Sequence, residues 1–178
     1  MQTDANDITI VNTSTDDLNI IFWLFEETKK LQGKNGYRVW DEIDNAALQK
    51  EISSKLQYKI VSGANILCIF SIQHNDPFIW REKDQDDAVY IHRIVVNPNF
   101  KGQKLFQRVL DWVKHFAIQN KLKFVRMDTW ADNLKIIEYY KSFGFEFIET
   151  YHTSNAVELP IQNRNLNVAL LQLEVDDN

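Results

Sequence analysis

The chain has 178 residues, 44% hydrophobic and 25% charged, a balance that fits one globular domain with a full-sized core. Its formal net charge of -5 argues against nucleic-acid binding, because neutralising phosphates takes a basic face. The single cysteine, Cys68, excludes an internal disulfide and sits in the apolar run ANILCIF, so a buried thiol is expected rather than a nucleophile.

No apolar run approaches the ~20 residues that a membrane-spanning helix needs. The N-terminus MQTDANDITI has no charged segment followed by an apolar one, so no signal peptide is expected and the cytoplasm is the expected address. No repeat and no Pro/Gly/Ser-rich linker interrupts the chain, so one domain over residues 1–178 is expected.

In chain order, DITIVN (7–12) alternates and is β-branched, the pattern of a first strand. STDDLNIIFWLFEETKKLQGK follows with an N-cap, an acidic first turn and Gly33 as a stop signal. Leu18, Ile21, Leu24 and Phe25 form its apolar face. A second helix over 41–56 places Ile43, Ala47, Leu48 and Ile52 at helical spacing. Two strands then meet at Ser62-Gly63-Ala64-Asn65, which is hairpin chemistry. NDPFIWREKDQDD reads as a polar loop that exposes Phe78 and Trp80. AVYIHRIVVN (88–97) reads as a central strand, and His92 and Arg93 break its apolar run as a functional or bulged section would.

A helix from about Gly102 to Gln119, a strand in 123–133, a short helix at 134–143 closed by Gly144, and two final strands complete the order β-α-α-β-β-β-α-β-α-β-β. That order predicts an α/β fold with a mixed, mostly antiparallel sheet flanked by helices. Five tryptophans suit a packed domain, and Trp23 and Trp112 are expected in its core.

Two stretches carry chemistry. VVNPNFKGQKLF ends a strand and opens a helix. A helix N-terminus presents unpaired N–H groups and the positive end of a dipole, which suits a phosphate. Gly102 permits close backbone approach, and Lys101 and Lys104 add charge. The same pattern also serves any strand-to-helix turn. In NLKIIEYYKSFGF, Tyr139 and Tyr140 are adjacent, so they face different ways. A phenol near its usual pKa of about 10 is a competent general acid toward a departing thiolate.

Together these stretches resemble the GNAT superfamily of acyl-CoA-dependent N-acetyltransferases. The first is similar to its pattern V-x-P-x-[YF]-[RK]-G-x-G-x-G through Val96, Pro98, Phe100, Lys101 and Gly102. Lys104 and Phe106 replace its later glycines. The second is similar to N-x-x-A-I-x-[LF]-Y-x-x-x-G-F through Asn133, Ile137, Tyr139, Tyr140, Gly144 and Phe145, with Ile136 replacing the alanine. The element order also looks like that fold, with the strands splayed to hold acyl-CoA.

The resemblance implies transfer of an acetyl group from acetyl-CoA to a primary amine, on a small molecule or an amino terminus, by direct attack in a ternary complex. It implies that the backbone of Ile94, Val95 and Val96 pairs with the pantetheine and that the Ile94 N–H polarises the thioester carbonyl. Lys101, Gly102, Gln103, Lys104, Leu105 and Phe106 would hold the pyrophosphate, with Phe106 tucked under the helix. Asn133 would bind the pantetheine arm, and Tyr140 would protonate the thiolate. His92 is the candidate base, with Asp128 behind it unless Asp128 pairs with Arg126 or Arg93. Trp40, Trp80, Tyr90 and Trp130, with His152 nearby, would line the acceptor pocket. No metal, nucleic acid or membrane is implied, and edge strands at the C-terminal end permit a homodimer. The lost glycines motivate one alternative, a non-catalytic acyl-CoA-binding sensor or interaction module.

Overall fold

The computed structural model describes residues 8–36, 40 and 42–176. Asp7 and Asp41, expected at the starts of the first strand and the second helix, lie outside the described residues. Among the described residues, seven strands form one sheet: β1 (Ile8–Asn12), β2 (Gln57–Ser62), β3 (Asn65–Gln73), β4 (Ala88–Val96), β5 (Phe124–Trp130), β6 (Glu146–His152) and β7 (Asn167–Glu174). The sheet order is β1-β2-β3-β4-β5-β7-β6. β4 and β5 pair in parallel, while β1 with β2, β2 with β3, β5 with β7 and β6 with β7 are antiparallel. The helices are α1 (Leu18–Lys34), α2 (Asn45–Ser53), the short α3 (Pro77–Trp80), α4 (Leu105–Gln119) and α5 (Leu134–Lys141). None of the described helices is long and apolar enough to cross a membrane.

The chain resolves into two compact units. The first holds the residues up to Ser71 together with Arg93–Val109, and the second holds Ile72–His92 and the residues from Leu110 onward. In the first unit, the Ser14 N–H donates to Asp17 Oδ2 at 2.8 Å, closing the turn that starts α1. Lys59 of β2 fastens the same carboxylate at 2.8 Å. The helix passes through Gly33 and stops at Asn35-Gly36, where Gly36 takes φ +72°. Glycine in a helix costs about 1 kcal/mol but does not end it, whereas a left-handed residue does. Asp44 caps α2 by accepting from the Ala47 N–H at 3.0 Å, and Lys55 at φ +60° turns the chain after it.

The core of this unit joins Ile21, Leu24 and Phe25 of α1 to Leu48 and Ile52 of α2, Ile69 of β3 and Val95 of β4. Trp23, expected in the core, falls off the α1 stripe and is 38% exposed. Cys68 is buried as expected, and burial pushes its thiol up to about 12, against a hydrogen bond with the Val95 backbone.

The second unit packs Ile79 and Trp80 against Ala88 and Tyr90 of β4, Val168 and Leu170 of β7, and Leu159 and Leu166. Trp112, also expected in the core, is half-buried and stacks on Phe116 at 5.7 Å. After α5, Gly144 at φ +98° turns the chain into β6, and a Cβ there would meet Leu173 Cδ1 at 3.2 Å.

Candidate active site

The end of β4 is fixed by one side chain. Asn97 accepts from the Asn99 N–H at 3.0 Å and donates through Nδ2 to the Ile66 carbonyl at 2.8 Å. A 3-10 turn over Pro98–Phe100 follows. The expected helix starts only at Leu105, because Gly102 (φ +81°) and Lys104 (φ +52°) are left-handed. Lys104 therefore holds a conformation that glycine takes freely, at the position where the family pattern has glycine. A Cβ added at Gly102 would meet nothing within 4 Å. Lys101 and Lys104 are exposed, Gln103 is half-buried, and the Leu105 and Phe106 side chains are buried.

Within β4, Arg93 takes φ +48°, a left-handed residue in mid-strand. It falls where His92 and Arg93 break the apolar run of the strand. Beyond it, Ile94 and Val96 are partly exposed and Val95 is buried. Arg93 is ion-paired to Glu51 of α2, whose other oxygen accepts from Ser71 Oγ at 2.7 Å.

In the second unit the parallel register of β4 with β5 runs from Ala88–Phe124 to Ile91–Met127. The next residue, His92, lies between two carboxylates. Its Nε2 is 3.3 Å from Asp76 Oδ2, and its Nδ1 is 3.7 Å from Asp128 Oδ1. Burial works to lower the imidazole's pKa, but the Asp76 hydrogen bond and the charges of Asp76 and Asp128 outweigh it and raise the value above 6.5. Asp128 thus faces His92. Arg126 pairs with Asp87 at 3.4 Å, and Arg93 pairs with Glu51. The three groups bring donor atoms within 4.8 Å of one another. The two imidazole nitrogens face different carboxylates.

Asn133 caps α5 by accepting from the Ile136 N–H at 3.1 Å. Tyr140 is half-buried, with its ring 6.3 Å from Phe145, whereas Tyr139 is 45% exposed and packs edge-on to Phe143 at 5.1 Å.

The expected acceptor aromatics divide. Trp80 and Tyr90 are 0% and 1% exposed, in the core of the second unit, so neither ring lines an open pocket. Trp130 packs half-buried on that core, and Trp40 packs on the core of the first unit, edge-on to Phe25 at 5.9 Å. His152 is exposed and meets Asn167 at 2.8 Å. Segment 77–87 is not the polar loop expected, because it folds over a buried guanidinium. Arg126 donates to the Lys83 carbonyl at 2.7 Å and the Tyr90 hydroxyl at 3.0 Å, and Tyr90 donates to Asp84 at 2.6 Å. Phe78 alone of its two large aromatics stays exposed, at 40%.

Sequence reasoning missed Glu51 and Asp76. Glu51 carried a signal, since it falls on the α2 stripe beside Leu48 and Ile52. Asp76 carried none, because its role depends on His92, sixteen residues away.

Residues 67–145 match the acetyltransferase (GNAT) family. A relative from Bacillus subtilis, an uncharacterized N-acetyltransferase YesJ, is 32% identical over 76 residues, which cover 41% of each chain. A GNAT-family acetyltransferase from Listeria monocytogenes superposes with a TM-score of 0.76 at 19% identity, covering 98% of both chains. The putative acetyltransferase yncA from Salmonella typhimurium, solved with its cofactor acetyl-CoA, superposes with a TM-score of 0.63 at 17% identity, covering 97% of this chain and 96% of that one. The central segment of the chain thus matches the family, and its whole length carries the fold of these solved acetyltransferases.

Proposed function

We propose that the protein transfers the acetyl group of acetyl-CoA to a primary amine, on a small molecule or an amino terminus. The observation that carries this reading is the turn into α4. Lys104 keeps a left-handed backbone where the family pattern has glycine, and Phe106 is buried. Both departures from the pattern are thus compatible with a phosphate bound at this turn.

Acetyl-CoA supplies a thioester whose acetyl carbon accepts the amine. Lys101, Gly102, Gln103, Lys104, Leu105 and Phe106 hold the pyrophosphate through backbone N–H groups and lysine charge. The backbone of Ile94, Val95 and Val96 pairs with the pantetheine, and the Ile94 N–H donates to the thioester carbonyl. Asn133 commits its Oδ1 to the α5 cap, which leaves its NH₂ to donate to the pantetheine. His92 removes one proton of the acceptor ammonium, the freed amine attacks the acetyl carbon, and as the C–S bond breaks Tyr140 delivers a proton to the sulfur and regains one from the new amide nitrogen.

Thiol release from acetyl-CoA across a panel of amines tests the proposal, and amine-dependent release is expected. Tight acetyl-CoA binding without release from any amine would support the sensor reading instead. Absence of binding would remove both.

Two further results are expected. Lys101→Ala combined with Lys104→Ala should weaken acetyl-CoA binding up to about tenfold at low salt, with the difference shrinking as salt rises. Equal affinity at every salt concentration would show that the backbone alone holds the phosphates. The second concerns pH. A base must be unprotonated, and the His92 pKa is raised, so kcat/KM should climb with pH through a limb centred above 6.5. Asp76→Asn removes one carboxylate and should move that limb to lower pH. A profile unchanged by Asp76→Asn would take His92 out of the base role.

A further inference from the structure

The left-handed turn inside β4 falls on an arginine, whose own preference does not put it there. The conformation is therefore imposed from outside the residue. Its consequence is a matter of phase. Val95 enters the core while Ile94 and Val96 stay partly exposed. Side chains alternate along a strand, so straightening Arg93 would shift this phase and turn Val95 out of the core.

The Arg93 side chain has a buried partner. The Arg93 and Glu51 side chains are each only 7% exposed, and they form an ion pair. A buried ion pair is no general source of stability, since apolar side chains of similar volume often do as well. Its distinguishing property is direction. Glu51 is held at both oxygens: Ser71 of β3, itself fully buried, donates to Oε2 at 2.7 Å, and Arg93 donates to Oε1. The carboxylate is thus aimed by β3 and α2 before it meets the guanidinium.

We propose that Glu51 is a positioning residue: through Arg93 it holds the left-handed turn of β4 and so directs the Ile94–Val96 backbone toward acetyl-CoA. The proposal rests on the transferase reading for its ligand, but the pin itself is a property of this chain. Glu51 acts on the cofactor's partners without touching the cofactor.

The test combines calorimetric titration of acetyl-CoA with the amide NMR spectrum, for the wild-type chain and Glu51→Gln, well below the melting temperature of either. Glu51→Gln should weaken acetyl-CoA binding about tenfold and displace the Ile94 amide resonance, with the Ile79 and Ile148 amides unmoved as controls in the other unit. General destabilisation would not select Ile94 in this way. Wild-type affinity with the Ile94 resonance in place would overturn the pin and leave the transferase reading intact. A wild-type chain that binds no acetyl-CoA would overturn the transferase reading, and the Ile94 resonance alone would then decide the pin. If Glu51→Gln fails to fold, the double variant Glu51→Gln with Arg93→Gln removes both buried charges and leaves the turn without its pin. It should bind as weakly, and wild-type affinity in it would overturn the proposal.

Discussion

Arg126→Ala should cost about 3–5 kcal/mol of stability, the range expected when one partner of a buried charged network is removed. The side chain is 5% exposed and serves four acceptors at once. It donates to Gln172 at 2.8 Å, the Lys83 carbonyl at 2.7 Å, the Tyr90 hydroxyl at 3.0 Å and Asp87 at 3.4 Å. Its guanidinium also lies 4.8 Å from the Trp80 ring centroid and 4.9 Å from that of Phe124. Alanine leaves these acceptors without their donor and a cavity among the rings. Arg126→Lys keeps the charge but loses the planar fork, so it should recover only part of the loss. Urea denaturation followed by tryptophan fluorescence measures both. A cost below about 1 kcal/mol for Arg126→Ala would show that segment 77–87 holds its place without the guanidinium.

The same network shows why the sequence was legible in some places and not in others. The order of the seven strands and four longer helices follows from periodicity, because each element buries one face and its residues say which. The hairpin at Gly63-Ala64 and the turn at Gly144 were readable for a local reason, since only certain residues take those backbone angles. Segment 77–87 was not. Its charges suggested solvent, but the deciding partner, Arg126, lies some forty residues on in β5. Trp80 was misplaced with it, since a tryptophan between Phe78-Ile79 and Arg81 shows its burial only when the guanidinium beneath the ring is known.

The candidate site divides in the same way. The loop Val96–Phe106 and the Asn133–Phe145 stretch were recognisable because backbone geometry constrains them locally. The left-handed angle at Lys104 was not foreseeable from composition, because lysine has no preference for it. His92 was singled out by its residue type, but the two carboxylates beside it come from distant segments. Asp128, weighed as the second candidate base, comes to face His92 across the sheet. Glu51 is the one omission the sequence could have corrected. A charged residue on an apolar helical stripe must find a buried partner, and that requirement alone marks it.

Tyr140→Phe should lower kcat by about 10²–10⁴, the usual contribution of a positioned general acid, and leave acetyl-CoA affinity nearly unchanged. The argument turns on its neighbour. Tyr139 and Tyr140 are successive on α5, their ring centroids 5.5 Å apart, so only their directions differ. Tyr139 is the more exposed, packs on Phe143, and has its phenol pKa raised by burial of part of the ring. Removing its hydroxyl should cost little turnover, because a surface phenol has no fixed place near the sulfur. Tyr140 is half-buried against Phe145, the residue after the glycine that closes the helix, so its ring is fixed by the turn that starts β6. Single-turnover measurement of thiol release for both variants separates chemistry from product release. A poorer leaving group needs the acid more, so the Tyr140→Phe defect should shrink when the thioester carries a more acidic thiol than CoA, whereas a packing defect would not respond to thiol acidity. Equal turnover in Tyr140→Phe and wild type would pass the proton to water, and a loss confined to Tyr139→Phe would exchange the two roles.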